Sequence, residues 1–179
     1  MKEEKTVFYP YSSWLKQRYG EKVYKLPVNL PVSCPNRCDG HGGCTFCSEK
    51  GTGFESVWQP ASVTEQMQHA RDVVAKRYKA RKFIAYFQNY TNTFMAMELF
   101  KAYLEEAAAF PDVVEISVST RPDCIRTDYL ACLAELQERT HVGINIELGL
   151  QTANYHTLDR VHRGHGLAEY IDAVLANKR

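Results

Sequence analysis

No stretch of this 179-residue chain is apolar for long enough to span a bilayer, and no apolar signal segment follows the opening Met1-Lys-Glu-Glu-Lys5. An excess of charge of either sign is also missing: 22 Lys and Arg stand against 21 Asp and Glu, a formal net charge of +1. That balance gives no broad electrostatic footprint for nucleic acid and leaves room only for a local basic patch. The basic residues that recur, Lys16, Arg18, Lys22, Lys25 and then Lys76, Arg77, Lys79, Arg81, Lys82, read as solvated helix faces. Internal repeats, low-complexity tracts and obvious linkers are absent. With 45% hydrophobic residues, the chain suffices for one substantial core. The expected setting is a cytosolic, reducing one, with no membrane partner.

Thiols, by contrast, are concentrated. Four of the six cysteines lie in Cys34-Pro-Asn-Arg-Cys38-Asp-Gly-His-Gly-Gly-Cys44-Thr-Phe-Cys47. Gathered thiolates repel one another and cost desolvation, so a fold collects them only where a cation or a disulfide compensates. In a reducing compartment, clustered cysteines serve as metal ligands or redox groups. Spacing leaves the metal open. Zinc would take all four thiolates in a closed tetrahedron, whereas an iron-sulfur cluster held by three would keep one iron free for a ligand. The glycines between Cys38 and Cys44 favour a tight loop with positive φ, whose backbone N–H groups can face a cofactor.

The rest of the chain alternates strand and helix. An aromatic-rich opening (Phe8, Tyr9, Tyr11, Trp14, Tyr19) precedes a first strand at Val23–Val28. Ser62-Val-Thr-Glu65 matches a capping box, and Met67, Ala70, Val74 and Tyr78 mark the helix behind it. Strands are expected at Lys82–Phe87, buried on both faces, at Val113–Ser119 and at Val142–Leu150. Helices are expected from about Phe94 to Phe110, from Asp128 to Arg139 and from Leu167 to Asn177. This order predicts an α/β fold with a parallel sheet, open or curled towards a barrel. Such folds place their chemistry at the carboxyl ends of the strands. The cysteine loop, Gln88–Thr93, Thr120–Asp123 and Gln151–Asn154 each follow a strand, so the four polar segments can converge on one site.

Five stretches carry a resemblance: Cys34-x9-Cys44-Thr-Phe46-Cys47, Tyr86-Phe-Gln-Asn-Tyr-Thr-Asn-Thr93, Ser119-Thr-Arg-Pro-Asp-Cys124, Glu147-Leu-Gly-Leu-Gln-Thr152 and Arg163-Gly-His165. In this order they resemble the motifs of radical S-adenosylmethionine (radical SAM) enzymes, specifically the YtqA/YhcC-type subgroup related to the radical-SAM domain of the elongator acetyltransferase. The resemblance implies a partial (β/α) barrel of the radical SAM type, with one core domain over 1–179 and an N-terminal extension of about 20 residues. It also implies Cys34, Cys44 and Cys47 as ligands of a 4Fe-4S cluster whose open iron chelates SAM. Reductive cleavage of SAM would then yield a 5′-deoxyadenosyl radical. By the same resemblance, Phe46 lies near adenine, and Gln88 and Asn92 meet the methionyl amino group. Ser119 and Gln151 face ribose or methionine, and Arg163 binds the carboxylate. Implied partners are tRNA, remodelled at carbon 5 of the wobble uridine, and an electron donor such as flavodoxin or ferredoxin. A small-molecule or peptide substrate is one alternative, and a noncatalytic four-cysteine zinc module is another.

Plainer roles stand beside these. Phe46 could be core packing, the polar side chains could cap helices or satisfy loops, and Arg163 could form a surface ion pair. Arg121 reads substrate or braces Asp123, His162 and His165 are hydrogen-bonded structural residues, and Cys132 is a buried apolar residue. Two departures from the family pattern concern Cys38 and length. The commonest radical SAM spacing, C-x3-C-x2-C, would start at Cys34 and Cys38 but meets His41 where a third cysteine is needed, so Cys38 stays outside the ligand set. The common core has six β-α units and this chain supplies about four, which implies a piece of a longer protein or a fold completed by a partner, with an exposed sheet edge.

Overall fold

The computed structural model describes residues 7–38, 40, 42–47 and 61–178. Its elements in chain order are α1 (Tyr11–Tyr19), β1 (Val23–Val28), α2 (Pro35–Cys38), α3 (Val63–Tyr78), β2 (Lys82–Phe87) and α4 (Met97–Ala108). They continue with β3 (Val113–Thr120), a 3-10 turn (Pro122–Cys124), α5 (Thr127–Thr140), β4 (Gly143–Leu148), α6 (Tyr155–Arg160) and α7 (Leu167–Ala176). All four strands are parallel, in the order β1-β2-β3-β4. No helix among the described residues is long and apolar enough to cross a membrane.

Local chemistry sets the boundaries. The capping box opens α3 as expected: Glu65 N donates to Ser62 Oγ at 3.2 Å, and Ser62 N donates to Glu65 Oε2 at 2.8 Å. α4 is shorter than the apolar pattern suggested, because Phe94 N closes a turn on Thr91 O before the helix begins. α1, the single-turn α2 and α6 are elements that sequence patterning did not give. α1 buries only Leu15, so its apolar periodicity is faint. α6 is capped by Asn154, whose Oδ1 accepts from Thr157 N at 3.0 Å.

Side chains alternate across the sheet, and the two faces have opposite chemistry. On the outer face Leu26, Val28, Phe83, Ala85, Phe87, Ile116 and Val118 pack with Phe100 and Leu104 of α4 and Leu133 and Leu136 of α5. On the inner face the apolar cluster lies at the amino-terminal end, where Leu15 of α1 meets Val23 and Ile84 beside the buried Glu115, which accepts from Tyr19 OH at 2.7 Å. The two-faced burial expected of β2 is therefore supplied by helices outside and by α1 within. Higher on the inner face stand Lys25, Tyr86, Ser117, Ser119, Asn145 and Glu147.

Glu147 joins these polar groups. It accepts from Lys25 Nζ at 2.9 Å, Tyr86 OH at 2.9 Å, Ser119 Oγ at 2.9 Å and Ser117 Oγ at 3.2 Å. Lys25 therefore faces inward with its ammonium 3.6 Å from the Tyr86 ring centroid, and it is not part of a solvated helix face. Lys25 and Glu147 belong to the first and last strands, which in a flat sheet would lie roughly 14 Å apart at three interstrand spacings. Their ion pair is direct because the sheet curls toward a barrel. The outer edge of that curl is β4, which is half-buried along its whole length.

Two outcomes follow from these faces. Phe87 is fully buried, and Phe87→Ala should lower unfolding free energy by about 3–5 kcal/mol in a denaturant titration. Burial alone would raise the Glu147 pKa, but hydrogen bonds from Lys25, Ser119 and Tyr86, with the Lys25 charge, hold it below the ordinary 4.5. Its contribution to stability is therefore full above that ordinary value and is lost as pH falls through the lower folded value. In Glu147→Gln that part of the acid dependence should vanish, which unfolding midpoints measured from pH 7 down to pH 3 will show.

Candidate active site

The polar segments after β1 to β4 meet around a cavity of about 360 Å³ at the carboxyl ends of the strands. Cys34, Cys44 and Cys47 line it together with Phe46, Gln88, Ser119, Gln151 and Arg163. Of the residues expected at the site, Asn92 alone does not line it. Its side chain is fully buried, and Nδ2 donates to Phe87 O and Ser119 O, both at 2.8 Å. Asn92 thus ties the ends of β2 and β3 behind the wall.

The cysteine loop is built from short-range constraints. Cys34 O accepts from Arg37 N and Cys38 N at 2.9 and 3.3 Å, and Pro35, which lacks an N–H, occupies the first position of α2. The chain then reverses through Gly40, Gly42 and Gly43, all at positive φ. A Cβ on Gly43 would also lie 3.1 Å from Arg37 Cγ. Asp39 and His41 lie outside the described residues. Cys47 N closes a turn on Cys44 O at 2.9 Å. Cys34 and Cys44 are buried and Cys47 is half-buried, whereas Cys38 is exposed, does not line the cavity, and lies 3.8 Å from Ser33 Oγ.

Cationic and amide donors converge on the buried sulfurs. Arg121 Nη1 lies 3.7 Å from Cys34 Sγ, Arg163 Nη1 lies 3.6 Å from Cys44 Sγ, and Asn36 Nδ2 lies 3.3 Å from Cys44 Sγ. Burial, then the neighbouring Cys44, push the Cys47 thiol pKa up. Among the described residues no three His, Cys, Asp or Glu side chains are gathered into a site for a single metal ion. With Cys38 turned to solvent, the four thiols do not form the closed tetrahedron that zinc requires.

Asn36 joins the cysteine loop to the Arg163-Gly-His165 motif. Its Nδ2 donates to His162 O at 2.5 Å and Arg163 O at 3.0 Å, while its Oδ1 accepts from Arg121 Nη1 at 2.5 Å. Thr45 N adds a bond to Val161 O at 3.1 Å. Gly164 is required at this contact, since it has φ +73° and a Cβ there would overlap Asn36 Oδ1. Arg163 is held by Gly149 O at 2.5 Å from Nη2, and a Cβ on Gly149 would lie 2.8 Å from that nitrogen. Two non-glycine residues on the cavity wall, Tyr90 and Gln151, adopt left-handed φ of +56° and +75°. Each such residue costs on the order of 1–3 kcal/mol, which a fold retains where the placement matters.

Patterning alone did not mark Asn36, Glu147 or Tyr86 as site residues. A signal for Glu147 exists in Ile144-Asn-Ile-Glu-Leu148, where polar residues alternate with apolar ones along a strand and must face the opposite side. Asn36 carries no such signal.

Comparison with known proteins agrees with this architecture. The chain is 39% identical over 163 residues to the uncharacterized protein YtqA of Bacillus subtilis, covering 89% of this chain and 50% of that one. It is also 39% identical over 158 residues to protein YhcC of Escherichia coli, covering 87% and 50%. The chain therefore spans about half the length of these relatives. Among solved structures, the archaeal Elp3 of Methanocaldococcus infernus with an N-terminal deletion shares the fold, with a TM-score of 0.54 at 16% identity over 84% of this chain and 34% of that one. Residues 29–179 match the family described as the Radical SAM superfamily, whose members typically bind a 4Fe-4S cluster and SAM, and the chain belongs to that superfamily.

Proposed function

We propose that this chain is the cofactor-binding part of a radical SAM enzyme, with Cys34, Cys44 and Cys47 ligating a 4Fe-4S cluster and the adjoining cavity seating SAM. The observation that carries the reading is that these three thiols share one cavity wall at the strand ends, with arginine and amide donors on two of the sulfurs. The residues present fit the group. Thiolates are the soft ligands such a cluster takes. Arg163, only 7% exposed, keeps Nε without a hydrogen-bond partner, a spare donor beside the cavity for a carboxylate. When bound, the two cofactors supply a 5′-deoxyadenosyl radical for hydrogen abstraction.

The chain's own groups bind and orient. Arg163 holds the carboxylate, Gln88 offers its amide to the amino group, and Phe46 covers adenine at the rim. Gln151 and Ser119 face ribose and methionine, and Glu147 fixes the Ser119 hydroxyl. Asn92 acts by holding two strand ends together rather than by contact. A reducing, cytosolic setting suits the clustered thiols. For the substrate, likeness to the YtqA/YhcC subgroup favours the wobble uridine of tRNA, converted from carboxymethylaminomethyl towards aminomethyl, with a flavodoxin or ferredoxin as electron donor.

Cys34→Ala, Cys44→Ala and Cys47→Ala should each abolish uptake of about four irons and acid-labile sulfide on anaerobic reconstitution, and Cys38→Ala should spare it. Tight uptake of a single zinc by all four thiols would sink the cluster assignment. Nucleoside mass spectrometry of tRNA from cells lacking the gene should show an altered wobble-uridine profile, and an unchanged profile would remove the substrate proposal.

A further inference from the structure

Two arginines in this chain pair with the aspartate two residues on, and the comparison between them is informative. Arg126 meets Asp128 through Nε at 3.1 Å and through Nη2, on the open surface, with its side chain 67% exposed. Arg121 meets Asp123 in the same way, through Nε at 2.9 Å and Nη2 at 2.6 Å, yet its side chain is only 4% exposed. Bracing an aspartate therefore does not require burial. What Arg121 adds is Nη1, which reaches Cys34 Sγ at 3.7 Å and Asn36 Oδ1 at 2.5 Å, while Nη2 also approaches Gly164 O at 3.4 Å. The guanidinium is thus locked by groups from the turn after β3, from α2 and from the loop before α7. A fixed positive charge and an N–H donor are held against one sulfur.

We propose that Arg121 is a positioning residue that sets the reduction potential of the cluster through Cys34 Sγ, with Asp123 as its counterweight. The inference rests on the cluster ligation given under Proposed function. One-electron reduction places added negative charge on the cluster and its thiolates. A donor and a cation fixed at one ligand sulfur stabilise the reduced form more than the oxidised form and raise the potential. The Asp123 carboxylate opposes that effect while it holds the fork in place. Removing either member should therefore move the potential in opposite directions. Arg163 and Asn36 donate to Cys44 Sγ in a similar manner, and both arginines line the cavity, but Arg163 Nε is left without a partner there whereas Arg121 Nε, Nη1 and Nη2 are all engaged, so Arg121 is the cleaner probe.

The test is a redox titration of the anaerobically reconstituted full chain without SAM, followed by the electron paramagnetic resonance signal of the reduced cluster. Arg121→Gln should keep about four irons per chain and make reduction about tenfold less favourable, roughly 59 mV more negative for one electron. Asp123→Asn should shift the potential to a more positive value. A structural brace would produce no such pair of opposite shifts. If Arg121→Gln fails to hold a cluster, Asp123→Asn decides: a positive shift supports the proposal, and an unchanged or more negative potential overturns it. Both variants lying within twofold of the parent would also overturn it. A parent chain that takes up no iron or sulfide would instead defeat the ligand assignment itself, an outcome distinct from a cluster whose potential ignores Arg121.

Discussion

The site depends on one buried amide. Asn36 receives Arg121 on its oxygen and presents its nitrogen to Cys44 Sγ and to the carbonyls of His162 and Arg163. It thereby fastens the cysteine loop to two segments that follow it by 85 and 126 residues or more. A buried amide left without partners costs on the order of 1–3 kcal/mol, and more where charged groups depend on it, so the network holds as a unit. Gly164 makes the close approach possible, because any side chain there would occupy the space of the Asn36 oxygen. The thiols face a common cavity as a consequence of this joint.

The sheet divides the remaining work between its faces. Its outer face is a dense apolar layer under α3, α4 and α5, and that burial provides the stability from which strain at Tyr90 and Gln151 is offset. The inner face is polar and holds its charge only as a matched set, with Lys25 and Glu147 joined across two intervening strands. Glu147 has a second effect: it orients the hydroxyls of Tyr86 and Ser119 at the cavity floor and pushes the Tyr86 phenol, already raised by burial, up to about 12. Curvature and site polarity thus share a cause.

Much of the frame was legible. The capping box at Ser62, the apolar run Lys82–Phe87 and the strand at Val113–Ser119 each act over a few residues, and local rules read them correctly. Of the elements missed, α1 and α6 lack a strong apolar stripe and owe their place to docking on the sheet or to a single Asx cap, and α2 is a single turn inside the cysteine loop. At the site, eight of the nine expected residues line one cavity, because the β-α rule sends every strand end to the same rim. Asn92 stands behind the cavity wall, and a short amide in a loop looks the same in sequence whether it faces a ligand or bonds the backbone behind it. Lys25 was read with the basic surface, since its partner lies 122 residues away.

By itself the sequence determined the strand and helix order, the positive-φ glycines of the cysteine loop, and the set of thiols, since each depends on interactions within a turn or two of chain. Only the tertiary structure decided that Arg121 and Arg163 point at sulfur, that Asn36 joins the cysteine loop to the Arg163 segment, and that Glu147 binds the inner face together. Those outcomes come from contacts between residues far apart in the chain. Their energies depend on where the curled sheet brings donors and acceptors into range, and no local pattern encodes that distance.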